Sequence, residues 1–222
     1  MTLSVNNVEL FCEVVGYGAP LIMMHGNGED HTIFDKAVEV LKEHYTCYLL
    51  DSRGHGKSGR VDELNYTDMA DDVLALIDQL GMQKVNFYGF SDGGIVGLLA
   101  ASKRPQAFEH LIVSGANLYP HGLKDGIYQA AKLKYLIKKD PKLKMMLTQP
   151  DISGDQLRRI TAHTLVLAGQ HDMIKELHTR AIARCIPGAL LRILPDETHG
   201  SYIVHSSKIA HIILHFCRFN TE

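Results

Sequence analysis

Six times along this chain a short run of apolar residues gives way to a loop and then to an amphipathic helical stretch. The runs are Leu21-Ile22-Met23-Met24, Thr46-Cys47-Tyr48-Leu49-Leu50, Val85-Asn86-Phe87-Tyr88, Leu111-Ile112-Val113, Leu165-Val166-Leu167 and residues 190–194. A strand that is apolar at successive positions has no wet face, so helices must cover both sides of its sheet. Strand–helix alternation of this kind predicts an α/β architecture with a mostly parallel, doubly wound sheet. Ahead of the first run, Leu3-Ser4-Val5 and residues 8–15 alternate around the turn-forming pair Asn6-Asn7, which predicts a hairpin.

The connecting helices have the 3.6-residue period. Between Thr67, taken as an N-cap, and Gly81, just past the end, Met69, Val73, Leu76, Ile77 and Leu80 form one stripe. Residues 32–43, 92–103, 174–185 and 206–218 have the same character. Residues 117–160 break the rhythm: they contain no strand-like run, hold Pro120, Pro141 and Pro150, and include a basic stretch over 132–144. A structureless loop of that length does not belong in a compact domain. The expectation is one or two helices forming a short lid over the carboxyl ends of the strands, within a single domain spanning 1–222.

In an open α/β sheet, ligands bind outside the carboxyl ends of the strands. After the third apolar run comes Gly89-Phe90-Ser91-Asp92-Gly93-Gly94, a G-x-S-x-G pattern between a strand and a helix. A sharp strand-to-helix turn forces Ser91 into a strained backbone, exposes its hydroxyl and demands small residues two positions to either side. A serine hydroxyl is a weak nucleophile and needs an oriented base. Asp172 follows the fifth run and His199 the sixth, so both are expected at the same edge of the sheet as Ser91. The order Ser, Asp, His is the one this architecture uses. The loop His25-Gly26-Asn27-Gly28 after the first run is flexible enough to approach the site. The N–H groups of Asn27 and Asp92 are therefore the candidate oxyanion hole.

Taken with Asp51-Ser52-Arg53-Gly54-His55-Gly56-Lys57-Ser58, these segments resemble the α/β-hydrolase fold family over essentially the whole chain. The resemblance implies Ser91 as nucleophile, His199 as base and then acid, and Asp172 as the orienting carboxylate. It also implies a lid between the sixth and seventh strands of the family pattern. Gly-Phe-Ser-Asp-Gly-Gly further resembles the nucleophile loop of the biphenyl hydrolase-like (valacyclovir hydrolase) family. There the acidic residue helps recognise a substrate amino group, so Asp92 is a candidate substrate contact. The preferred alternative is that Asp92 caps its own helix, where a negative charge suits the dipole. Serine at the nucleophile position disfavours dehalogenase and epoxide-hydrolase chemistry, which uses aspartate there.

The activity expected is hydrolysis of small carboxylic esters. Amino-ester hydrolase, thioesterase, acyltransferase or perhydrolase, and a non-catalytic receptor-like role remain the alternatives. No metal or organic cofactor is called for. His211 and His215 have a helical metal-binding spacing, but no third ligand accompanies them in the sequence. Gly54-His55-Gly56-Lys57-Ser58 lacks the first glycine of a phosphate loop. A formal net charge of −2 gives no basic excess for nucleic acid, and no apolar run reaches the length of a membrane span. The 132–144 stretch reads first as a solvated lid face, with an anionic substrate or a membrane surface as alternatives. Met145-Met146-Leu147 is a candidate acyl-pocket lining. The four scattered cysteines, with no export signal at the start, point to reduced thiols and a cytoplasmic protein.

Overall fold

The computed structural model describes residues 1–219. Its first two strands, β1 (Thr2–Val5) and β2 (Val8–Gly16), pair antiparallel through Asn6 and Asn7, whose φ values of 44° and 61° give the expected tight turn. Six further strands follow: β3 (Ala19–Met24), β4 (Tyr45–Leu50), β5 (Val85–Phe90), β6 (Phe108–Ser114), β7 (His163–His171) and β8 (Leu190–Thr198). Each contains one of the apolar runs. The sheet order is β1-β2-β4-β3-β5-β6-β7-β8, with β2 antiparallel to β4 and every later pair parallel.

Side-chain alternation explains why the central runs are continuous. In β3, Ile22 and Met24 join one core cluster while Leu21 and Met23 join the other. The first cluster is closed by α2 (Tyr66–Gln79) and α3 (Asp92–Lys103), together with Leu157, Ile182 and Ile186. The second is closed by α1 (Asp35–Leu41) and α8 (Lys208–Phe219), which pack on each other. Helix α7 (Glu176–Cys185) packs against β7 and β8. Burying these faces supplies the driving force for folding. No helix among the described residues is long and apolar enough to cross a membrane.

Helix termini differ from expectation in two places. Asn65, not Thr67, caps α2, because its side chain reaches the N–H of Asp68 while Thr67 already lies inside the first turn. The 32–43 helix begins with a 3-10 turn (His31–Phe34) capped by Asp30. Residues 117–160 hold three α-helices, not one or two: α4 (Asp125–Lys138), α5 (Pro141–Thr148) and α6 (Gly154–Arg158). The basic stretch is split where Lys139 turns left-handed (φ 52°) and Asp140-Pro141 starts a new helix. α6 packs on α3 and α7, so it belongs with the sheet-flanking helices.

Candidate active site

Ser91 sits between β5 and α3 at φ 54°, ψ −112°, a region that only a tightly supported residue occupies. Its support is specific. A Cβ at Gly89 would collide with the Gly93 carbonyl, and a Cβ at Gly93 with the Met24 carbonyl. The Ser91 N–H is held by the Ser114 carbonyl of β6 at 2.7 Å. The Gly93 N–H donates to the His25 carbonyl at 3.1 Å, which ties the loop after β3 to the start of α3.

Loops after β7 and β8 bring in the other two residues. Asp172 is buried; its Oδ1 accepts the Ile174 N–H at 2.9 Å and its Oδ2 the Gly169 N–H at 3.3 Å. Oδ1 also lies 2.6 Å from His199 Nδ1. A carboxylate can only accept, so the proton of this bond is on Nδ1, and in the neutral ring that tautomer leaves the lone pair on Nε2. His199 Nε2 is 3.1 Å from Ser91 Oγ. The imidazole leans on the Phe90 ring, centroids 4.9 Å apart. Its other neighbour is Gly115, at φ 63°, where a Cβ would come within 2.6 Å of His199 Cε1. Gly115 is one of the positions sequence reasoning missed, since its role depends on a side chain from a distant loop.

Asn27 and Asp92 flank Ser91 and line the same cavity of about 360 Å³. The Gly26–Glu29 segment is a turn in which the Glu29 N–H meets the Gly26 carbonyl at 3.3 Å and Gly28 takes φ 74°. Glu29 closes it from the other side, Oε2 accepting the Gly26 N–H at 3.0 Å. Burial raises the Glu29 carboxyl above its usual range, opposed mainly by the Gly26 bond.

The Asp92 side chain does not cap its helix. It is buried and accepts Asn27 Nδ2 at 2.9 Å and the Tyr66 hydroxyl at 2.8 Å. Burial pushes its carboxyl up to about 6 against the lowering effect of those two donors. Asn27 Nδ2 also donates to the Lys142 carbonyl on α5 at 3.2 Å, and the Tyr66 N–H donates to Gln149 Oε1 at 3.1 Å. Hydrogen bonds thus run from the Ser91 loop through Asn27 and Tyr66 to both ends of α5. Tyr66, Glu29 and Gln149 carry no sequence signal for this role.

The rest of the cavity is largely apolar, with Asn117 and Lys134 among its lining residues. Ile127, Ala130 and Ala131 of α4 and Leu143 and Met146 of α5 line it. Of the expected Met145-Met146-Leu147 lining, Met146 takes part, whereas Met145 is buried in the core.

The Asp51–Ser58 segment acts as a brace. Arg53 forms two 2.6 Å bonds to buried Asp72 of α2, and Asp51 accepts the N–H groups of His31 and Lys57 at 2.7 and 2.8 Å. Among the described residues, Asp30, His31 and Asp51 form a group with metal-ligand geometry. The Asp51 oxygens are already engaged by those N–H groups and by His31 Nδ1 at 2.8 Å.

Residues 19–138 match the family model described as the alpha/beta hydrolase fold. The chain belongs to the α/β-hydrolase fold family. Among curated proteins it is similar to mouse "Serine hydrolase BPHL", 25% identical with 96% of this chain and 84% of that protein covered. It is also similar to "AB hydrolase superfamily protein YisY" of Bacillus subtilis, 27% identical over 95% and 96% of the two chains. Among solved structures, a bromoperoxidase from Bacillus anthracis superposes with a TM-score of 0.86 at 20% identity, covering 98% of this chain and 99% of that one, a likeness of fold. This α/β hydrolase is thus an enzyme-family member related to serine hydrolases, with the mostly parallel eight-stranded sheet the family requires.

Proposed function

We propose that this α/β hydrolase cleaves small carboxylic esters through a covalent acyl-enzyme intermediate on Ser91. The observation that carries the reading is the hydrogen-bonded line from Asp172 through His199 to Ser91, at 2.6 and 3.1 Å. As Ser91 Oγ attacks the ester carbonyl carbon, its proton passes to His199 Nε2. The carbonyl oxygen becomes an alkoxide, stabilised by the backbone N–H groups of Asn27 and Asp92. Asp172 holds the imidazole tautomer and stabilises its positive charge. The intermediate collapses, the C–O bond to the alcohol breaks, and His199 returns the proton to the leaving oxygen. Water, deprotonated by His199, then releases the acid and restores Ser91.

Within residues 117–160, α4 and α5 line the cavity and serve as the lid, while α6 belongs to the sheet-flanking layer. A cavity of about 360 Å³ with largely apolar walls suits a small acyl group. The four free cysteines are in keeping with a cytoplasmic enzyme.

The test is Ser91→Ala, which should abolish p-nitrophenyl acetate turnover and labelling by a fluorophosphonate probe. Persistent labelling of that variant would reject the nucleophile. Saturable ligand binding by the wild type without turnover would favour a receptor-like role.

One observation favours a second, narrower reading. Asp92, whose side chain is a carboxylate, is among the residues that line the cavity beside Ser91. Its two donors leave lone pairs free for an ammonium group, so α-amino esters fit this site. An α-amino ester preference that vanishes in Asp92→Asn is the expected result; equal rates on amino and neutral esters would reject it.

A further inference from the structure

Helix α4 runs for 14 residues and buries only Ala131. One of its faces, with Ile127, Ala130 and Lys134, is turned to the catalytic cavity. The adjoining face carries Leu133, Leu136 and Ile137, spaced so that they form one ridge. These side chains are 62%, 56% and 76% exposed. Most large apolar side chains on the described residues are covered, so three neighbouring aliphatics left in water mark a contact surface.

The charge around the ridge is lopsided. Between residues 124 and 144 there are seven lysines and two aspartates, whereas over the rest of the chain acids outnumber bases by 23 to 16. Both aspartates are already engaged: Asp125 pairs with Lys175, and Asp140 caps α5 by accepting the Lys142 N–H. Lys144 pairs with Glu63. Among the described residues, Lys132, Lys134 and Lys138 have no ion-pair partner.

This combination selects its occupant. A second copy docking by two-fold symmetry would set the lysine-rich patch against itself, a like-charge contact. A folded acidic protein would meet the lysines but needs its own apolar groove for the ridge. A lipid surface with anionic headgroups offers both in one plane: hydrocarbon at shallow depth for the aliphatics and phosphates at the rim for the ammonium groups. Lysine stems can lie along the apolar boundary while their heads stay at the phosphates.

We propose that α4 docks this enzyme on an anionic lipid surface, with Leu133, Leu136 and Ile137 entering the headgroup–acyl boundary and Lys132 and Lys138 meeting phosphates. The docking places the cavity lined by Ser91 beside the lipid, and it stands or falls independently of the assignment of Ser91 as nucleophile.

The experiment is sedimentation of the full chain with phosphatidylcholine vesicles, with and without phosphatidylglycerol. Binding is expected only with phosphatidylglycerol present and should weaken as salt rises. The Leu136→Ser/Ile137→Ser and Lys132→Glu/Lys138→Glu double variants should each lose binding by about tenfold or more, since apolar insertion and charge attraction act together. Unchanged thermal melting of both variants confirms that the fold is intact. None of the altered side chains lines the cavity, so p-nitrophenyl acetate turnover should match the wild type. Equal binding to neutral vesicles, no binding to either, or equal binding by wild type and variants would overturn the proposal. So would concentration-dependent self-association abolished by Leu136→Ser/Ile137→Ser, or binding to polyglutamate but not to vesicles.

Discussion

Ser91 and helix α4 line the same cavity, yet the chain builds them differently. Around Ser91 backbone meets backbone: Gly89, Gly93 and Met24 leave no room for a methyl group, and the Ser91 and Gly93 N–H groups are both spoken for. In α4 a Cβ at Gly126 would meet nothing within 4 Å, and only one residue of the helix is buried. The first region is over-determined, which is what a strained φ of 54° at Ser91 requires. The second is held by few contacts, so its position is free to respond to what touches it. A closely fitted wall and a loosely held one thus border one cavity.

The largest effect should come from a methyl group added to the tight wall. Gly93→Ala drives Cβ into the Met24 carbonyl, where only backbone can yield. A loss of about 3 kcal/mol or more in urea unfolding is expected. An unfolding midpoint within error of the wild type would show that the turn relaxes and is not over-determined.

A smaller effect concerns Asp92, the buried charge in that wall. Its carboxyl is raised from 3.8 to about 6, so the folded chain retains a proton that the unfolded chain releases. Below the unfolded value both states are protonated and nothing is lost. Stability then falls as pH rises from about 4 to about 6, and above that the penalty is constant. Asp92→Asn lacks this term. Its unfolding free energy relative to wild type should therefore climb by roughly 1–3 kcal/mol across the window and then level off. A flat difference would mean that Asp92 titrates as an exposed acid.

The same network explains what was legible in the sequence and what was not. Strands β3 to β8 were readable because apolar side chains on both faces leave an unbroken run. The loop at Ser91 was readable because its geometry admits only a few residue types at fixed spacing. Tyr66, Gln149 and Gly115 were not. Their roles arise where segments far apart in the chain meet: Tyr66 reaches Asp92 across 26 positions and Gln149 across 83. Asp92 was misjudged as a helix cap because local rules favour an acid there, and burial with two distant donors outweighs them. At α2 two cap-type residues compete two positions apart, and only the reach of Asn65 to Asp68 decides. For 117–160 the missing strand signal was plain, but the number of helices depended on where Asp140-Pro141 and Ser153 restart the chain.

Tyr66→Phe sharpens the account of the tight wall at lower amplitude. It keeps the ring in the core and removes one donor from Asp92 Oδ1. About 1–2 kcal/mol of stability should be lost at neutral pH. The pH window of the previous comparison should also move upward, because the ionised carboxylate loses a bond that favours it. Thermal melting at several pH values reads both changes. An unshifted window would mean that Asn27 alone holds the carboxylate.

The smallest effect should lie in α4 and carry the opposite sign to Gly93→Ala. Gly126 stands in the first turn, with no positive φ and open space where a Cβ would go. Alanine there restricts the unfolded chain and suits a helix, so Gly126→Ala should stabilise by about 0.4–1 kcal/mol in urea unfolding. One methyl group would then destabilise one wall of the cavity and stabilise the other. A loss above about 1 kcal/mol at Gly126 would instead mean that α4 is as closely fitted in solution as the Ser91 turn, removing the contrast between the two walls.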